Sequence, residues 1–169
     1  TNLDDSSVLF LDEIHRLPVT VEEFLFPAME DYHVDVIIDK GPFAKKLNIP
    51  LKPFPLIVAT TRAGLLSAPL RERFGIFHHL DFYPPEDLAR IIRRSAGLLD
   101  FPFEPEAADL LSVRSRGTPR VANRLLRRVR DYAEVKSDGR LTPVTVTDAL
   151  ALEGIDEAGL DELDRRVLR

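Results

Sequence analysis

Two carboxylates at the end of a short apolar run are the first residues able to do chemistry. Val8-Leu9-Phe10-Leu11 leads directly into Asp12-Glu13. A strand that delivers two acids to the carboxyl edge of a parallel sheet is what nucleotide hydrolysis needs. One carboxylate holds Mg2+, usually through water, and the other orients or deprotonates an attacking water. The same dipeptide also arises wherever an acidic loop follows a strand, so the pair by itself decides nothing. A second apolar run, Leu56-Ile57-Val58-Ala59, ends in Thr60-Thr61. The four histidines lack ligand spacing with any acidic cluster. In a strand the adjacent His78 and His79 would point to opposite faces, so no metal is assigned to histidine. With no cysteine there is neither a disulfide nor a thiolate metal site.

The elements that must position these groups follow from hydropathic periodicity. Fully apolar runs such as 8–11 and 56–59 predict central parallel strands covered on both faces. Val21 to Asp31, apolar at 21, 24, 25, 28 and 29, has helical spacing. Val34, Val36 and Ile38 alternate with Asp35, Ile37 and Asp39, and Leu47, Ile49 and Leu51 alternate likewise. With the turn cluster Asp39-Lys40-Gly41-Pro42 between them, these predict a β-hairpin. A short helical segment spans about Leu65 to Phe74. Tyr83-Pro84-Pro85 marks a boundary, after which the pattern is helical: Glu86 to Leu99, Glu106 to Val113, a helix opened by Thr118 as N-cap and Pro119 in its first turn, and Thr147 to Leu152. Val121, Leu125, Val129 and Tyr132 line one face of the third helix. Arg124, Arg127, Arg128 and Arg130 occupy most of the rest, as a phosphate-binding run or, more commonly, a solvated or interface-forming face. The fold class is therefore α/β, followed by an all-α portion.

Composition sets bounds on function. With 44% apolar and 30% charged residues, the 169-residue chain can pack a core and is not a disordered segment. A net charge of −5 argues against gripping DNA by charge alone. No apolar run approaches the roughly 20 residues needed to span a bilayer, and the polar, acidic start is not a signal peptide. These features fit a cytoplasmic protein. A chain that begins at Thr1 and enters a buried-looking strand at Val8 reads as a piece of something longer.

Five segments together resemble one family. Asp12-Glu13-Ile14-His15-Arg16-Leu17 resembles the Walker B motif of RuvB-type AAA+ ATPases, the motors of Holliday-junction branch migration in recombination and repair. Pro27-Ala28-Met29-Glu30-Asp31, Ala59-Thr60-Thr61-Arg62-Ala63-Gly64, Pro69-Leu70-Arg71-Glu72-Arg73-Phe74-Gly75 and Arg116-Gly117-Thr118-Pro119-Arg120-Val121-Ala122-Asn123-Arg124 resemble, in the family's order, its PAMED, sensor 1, arginine-finger and sensor 2 segments. The resemblance implies a partial AAA+ parallel-sheet ATPase core with a projecting hairpin over 1–83 and a small helical lid over 84–156. Residues 157–169 would begin a linker to a winged-helix head domain.

The resemblance also implies roles. Asp12 would hold Mg2+ and Glu13 would position water. Thr60 or Thr61 would sense the γ-phosphate of ATP. Arg73, with Arg71 as its rival, would reach into a neighbouring subunit's site, where its planar fork stabilises charge on the transferred phosphoryl group. Arg120 would contact nucleotide from the lid, Glu30, Asp31 and Tyr32 would lie near it, and Tyr83 would lie beside the base. For both tyrosines, ordinary half-buried packing is the plainer account. The hairpin would dock RuvA through Val36, Ile38, Ile49 and Leu51. Asp39 stands where the family commonly has Gly, and Phe26 replaces a common Tyr. The complete protein would act as a homo-hexamer on Holliday-junction or duplex DNA, mainly through the head domain.

One requirement of the chemistry is not met within these residues. No Gly-x-x-x-x-Gly-Lys-Ser/Thr occurs, and a P-loop supplies the N–H nest and lysine that hold the β- and γ-phosphates. The family's P-loop would precede Thr1, and this chain alone is expected to turn over no ATP. Two rival readings are a degenerate AAA+ module that only docks a partner and a clamp-loader relative. The clamp-loader reading is disfavoured because such fingers usually sit in a Ser-Arg-Cys motif.

Overall fold

The computed structural model describes residue 4, residues 6–38 and residues 45–168. The chain divides into two compact units, Thr1–His78 and His79–Arg169.

In the first unit, β1 (Leu9–Leu11) pairs in parallel with β4 (Leu56–Val58), with Leu9 opposite Leu56 and Leu11 opposite Val58. A parallel pair needs a crossover connection, here α1 (Val19–Glu30) and the hairpin of β2 (His33–Ile38) and β3 (Lys45–Pro50). The expectation of cover on both faces is not met among the described residues. Leu9, Leu11, Leu56 and Val58 are half-buried, whereas the paired Phe10 and Ile57 are 57% and 53% exposed. Among the described residues this sheet has two strands, and one of its faces is the more covered. Beyond β4, the segment read as a single helix is a 3-10 turn, Ala63–Leu65, followed by a short helix α2 (Ala68–Glu72). The break falls at Ser67, whose hydroxyl caps α2 by accepting the Leu70 N–H at 3.3 Å.

The hairpin register sets its two faces. Val34 opposes Ile49 and Val36 opposes Leu47, so these four share one face with Ile38 and Lys45. The other face carries Asp35, bonded to Asn48 at 3.1 Å and paired with Lys46 at 2.7 Å. The turn cluster Asp39-Lys40-Gly41-Pro42 lies outside the described residues.

The second unit holds most of the core. Helices α3 (Pro85–Leu98), α4 (Pro105–Val113), α5 (Pro119–Lys136) and α6 (Pro143–Leu152) enclose Leu88, Ile92, Leu111, Leu126, Val129 and Leu150, all essentially inaccessible. Each helix opens on proline, which fits the first turn because its N–H has no intrahelical partner there. Helix α6 therefore begins at Pro143, one turn before the expected Thr147, with Thr142 accepting the Thr145 N–H at 3.1 Å. Thr118 does occupy the N-cap position of α5, but its side chain makes no capping bond; the hydroxyl turns back to the Arg116 carbonyl at 3.3 Å.

A short helix, α7 (Glu162–Val167), ends the unit. Its approach is knotted around Asp156, whose Oδ1 accepts the Ala158 and Leu160 N–H groups, each at 2.9 Å. Arg114 donates to the Asp156 carbonyl at 3.1 Å, and Arg165 donates to the carbonyls of Leu160 at 2.9 Å and Gly154 at 3.1 Å. Gly159, at φ +79°, lies where a Cβ would fall 2.2 Å from the Arg114 carbonyl oxygen. Among the described residues no helix is long and apolar enough to cross a membrane.

Candidate functional site

The ends of β1 and β4 are laced together just beyond the last strand pair. Ala59 N–H donates to Leu11 at 2.9 Å, and Ile14 N–H donates to Ala59 at 3.1 Å. Ile14 is buried and anchors the turn that carries Asp12, Glu13 and His15. The lacing holds that turn against Thr60 and Thr61, and the four acidic and hydroxyl residues singled out in the sequence form one cluster.

Within it, Glu13 adopts the left-handed conformation, φ 50° and ψ 45°, uncommon for a residue with a Cβ and often stored where geometry serves function. Its carboxylate is gripped by Thr61. The Thr61 N–H reaches Oε2 at 3.2 Å and the hydroxyl reaches it at 3.0 Å. The Thr61 N–H, with help from its hydroxyl and from nearby His15 and Arg16, holds the Glu13 carboxyl below its ordinary value against the opposing effect of desolvation. Asp12 is exposed, and one of its oxygens accepts the Glu13 N–H at 3.0 Å. An exposed carboxylate with an oxygen to spare fits Mg2+, which keeps most of its waters and takes one or two protein oxygens. Among the described residues there is no group of three or more His, Asp or Glu side chains that would hold a metal ion as a cage.

His15 stands in the Walker B-like segment, where the sequence assigns it no role of its own, yet its side chain belongs to this cluster. Its Nδ1 lies 2.8 Å from Thr60 Oγ1 and 3.2 Å from Glu13 Oε2. The Thr60 oxygen also accepts the Arg62 N–H at 3.0 Å. The one available signal was position: Glu13 and His15 flank the buried Ile14 in a tight turn, so one anchor fixes both.

A second cluster surrounds Arg73, the C-cap residue of α2. Its guanidinium lies over the Phe26 ring, 4.2 Å from the centroid, and Nη1 donates to the Pro69 carbonyl at 2.7 Å. Nε sits 2.8 Å from Glu30 Oε1, within ion-pair range though off the line a hydrogen bond needs. Glu22, buried on α1, accepts the Ser67 hydroxyl at 2.7 Å. Arg73 borders an open cleft of about 550 Å3 lined also by Glu30, Phe54, Phe74 and Ile76. The cleft's lining includes neither Asp12 nor Glu13, so it belongs to the arginine. Arg71 is exposed.

The remaining candidates stand apart. Asp31 is exposed, and Tyr32, at φ 52°, packs edge-on to Phe54 with centroids 6.3 Å apart. On the hairpin, Val36, Ile38 and Leu47 are 38%, 47% and 46% exposed. Ile49 is half-buried, as is Leu51, which follows β3 and donates its N–H to Tyr32 at 2.7 Å. In the helical unit, Arg120 is exposed in the first turn of α5, and Tyr83 N–H donates to Gly117 at 2.9 Å. Gly117, at φ +72°, lets the chain pass so close to Phe82 that a Cβ there would lie 2.6 Å from Phe82 Cβ.

Comparison with known proteins extends this geometry. Residues 1–80 match the family model of the Holliday junction DNA helicase RuvB P-loop domain, and residues 83–156 match that of the RuvB AAA lid domain. Two mutant structures of Thermotoga maritima RuvB superpose with a TM-score of 0.87 at 46% and 47% identity, covering 99% of this chain and 52% of theirs. A structure described as the Thermotoga maritima RuvB Holliday junction branch migration motor gives 0.84 at 47% identity over 99% of this chain and 51% of its own. The chain thus spans about half the length of the structures it matches.

Proposed function

The chain belongs to the RuvB family, and from that premise we propose that it supplies the hydrolytic corner and lid of an ATP-driven motor for Holliday-junction branch migration. The observation that carries the proposal is the grip of Thr61 on Glu13, which sets an ionised carboxylate among hydroxyls at the carboxyl edge of a parallel strand pair. Asp12 would hold Mg2+, which would supply charge neutralisation at the phosphates when bound. Glu13 takes a proton from the attacking water, and Thr60 or Thr61 donates a hydroxyl to the γ-phosphate. Arg73 serves the site of a neighbouring subunit in a homo-hexamer. Arg120 contacts the nucleotide from the lid, Tyr83 lies beside the base, and Glu30, Asp31 and Tyr32 border the nucleotide. Val36, Ile38, Ile49 and Leu51 face RuvA. The division into ATPase core, lid and linker runs over 1–83, 84–156 and 157–169. DNA contact belongs mainly to a head domain, and the protein works in the cytoplasm.

Hydrolysis also needs a P-loop to hold the triphosphate, and these residues contain no such motif. The 169-residue chain alone therefore binds a fluorescent ATP analogue weakly and turns over none, and micromolar affinity would contradict that. The test of the motor reading is Glu13→Gln in the full-length protein. Loss of a general base costs about 10²–10⁴-fold, so ATP hydrolysis and branch migration both collapse while nucleotide binding persists. Wild-type turnover in that variant would overturn the reading.

A further inference from the structure

We propose that His15 is a positioning residue that couples the Thr60 hydroxyl to the Glu13 carboxylate, a role that rests on the hydrolytic reading of Glu13. The imidazole is nearly enclosed, its side chain 7% exposed. A single ring nitrogen, Nδ1, faces both oxygens, at 2.8 Å from Thr60 Oγ1 and 3.2 Å from Glu13 Oε2. In a neutral imidazole Nδ1 either carries a hydrogen or accepts one. Without it, the one lone pair of Nδ1 accepts the Thr60 hydroxyl hydrogen and Glu13 gains no donor from the ring. With it, Nδ1 has a hydrogen to offer, and a small turn of the ring aims it at the Glu13 carboxylate, which can only accept and stands at ion-pair distance, 3.2 Å.

The hydroxyl hydrogen of Thr60 is the part free to choose. The Thr60 oxygen is held by the Arg62 N–H at 3.0 Å, which fixes its place while leaving its hydrogen to rotate. In the resting state of this proposal the ring carries its hydrogen at Nε2, and Nδ1, 2.8 Å from Oγ1, accepts from Thr60. Drawing the hydroxyl hydrogen toward a phosphate oxygen removes the donor from Nδ1. The ring then exchanges its hydrogen with solvent, losing one at Nε2 and taking one at Nδ1 with no change in charge. Glu13 thereby acquires a second donor facing Oε2, the oxygen that Thr61 already holds. Occupation of the threonine is passed to the carboxylate through one ring, and no backbone movement is required. The backbone turn at Glu13 fixes the spacing that makes this possible.

The test compares three variants in the full-length protein by steady-state ATP hydrolysis and thermal melting. Misplacement of a reacting group by about 1 Å costs up to roughly 10²-fold. His15→Leu, which fills similar space without a polar atom, is expected to lower kcat by about 10–100-fold, leaving KM nearly unchanged. His15→Asn, whose amide falls near the Nδ1 position, restores most of that rate. A wild-type rate in His15→Leu, or an Asn variant as slow as the Leu variant, overturns the coupling. Glu13→Gln run alongside separates the two ideas. If it is slow while His15→Leu is fast, the coupling alone fails; if it is fast, the reading of Glu13 fails and takes the coupling with it. Should His15→Leu not fold, ring 15N spectra of the 169-residue chain carrying Thr60→Val decide instead. The hydrogen is expected to move from Nε2 to Nδ1, and unchanged ring shifts count against the relay.

Discussion

Arg73 and Phe26 form a cation–π pair, the guanidinium carbon standing 4.2 Å from the ring centroid. The pair belongs to a longer arrangement. Glu22, Phe26 and Glu30 recur every four residues and so lie along one side of α1. Glu22 holds Ser67 at the start of α2, while Phe26 and Glu30 hold Arg73 at its end. Helix α1 is thus a rack that fixes the direction of a five-residue helix too short to hold itself.

If Arg73 is the trans-acting finger, Arg73→Ala in the full-length protein abolishes hydrolysis by roughly 10³–10⁵-fold while sparing nucleotide binding. Mixed with wild-type subunits it lowers ATPase more than in proportion. A strictly proportional loss would point to Arg71 or to a mechanism within one subunit. Glu30→Gln loosens the rack and slows turnover by about tenfold or less, within the range expected of misplaced groups.

The hairpin face of Val36, Ile38 and Leu47 predicts partner binding separable from stability. If the hairpin docks RuvA as proposed, burying each such side chain is worth roughly 1.5–3 kcal/mol, and Val36→Ser with Ile38→Ser lowers affinity for RuvA at least about tenfold. Thermal stability and basal ATPase stay near wild type, because these residues are already exposed. A fall in melting temperature that accounts for the lost binding would make them structural.

Gly159→Ala is expected to destabilise the helical unit. The added methyl meets the Arg114 carbonyl at 2.2 Å, at a backbone angle that side chains rarely adopt. A cost of about 1–3 kcal/mol lowers the melting temperature by several degrees. Gly97→Ala in α3 is the control. Nothing lies within 4 Å of its Cβ position, and the helix gains from alanine. Equal melting temperatures for the two variants would contradict the steric account.

Asp156 predicts the pH dependence of the same region. Its bond from the Leu160 N–H, with help from Arg165 and the Ala158 N–H, holds its pKa below the ordinary 3.8 despite opposing desolvation. A depressed folded-state pKa contributes stability that is complete above the ordinary value and lost as pH falls through the lowered one. Asp156→Asn therefore melts earlier than wild type at pH 7, and the gap narrows in acid below the ordinary value. A gap independent of pH would assign the effect to packing alone.

Much of this was legible in the chain because local patterns carry it. An apolar run closed by Asp12-Glu13, another closed by Thr60-Thr61, and alternation across 34–38 and 47–51 each report a single element. What escaped were partnerships made at a distance. His15 and Thr60, like Glu22 and Ser67, are 45 residues apart, and no periodicity encodes such a meeting. Helix α1 formed where its spacing placed it, but spacing does not report that Val21 and Phe24 are exposed while Glu22 is buried, because Glu22 meets Ser67. The early start of α6 was missed since Pro143 interrupts the apolar spacing even as it favours a first turn.

The knot at Asp156 has a mechanical meaning. Arg165 reaches back from α7 to Gly154 and Leu160, Arg116 pairs with Asp164 at 2.7 Å, and Arg114 clasps the Asp156 carbonyl. A tug on α7 therefore finds no slack to take up. The load passes through arginine side chains into the C-terminal end of α4 and the turn that launches α5, so α7 acts as a stiff lever arm whose torque arrives at the helix bearing Arg120.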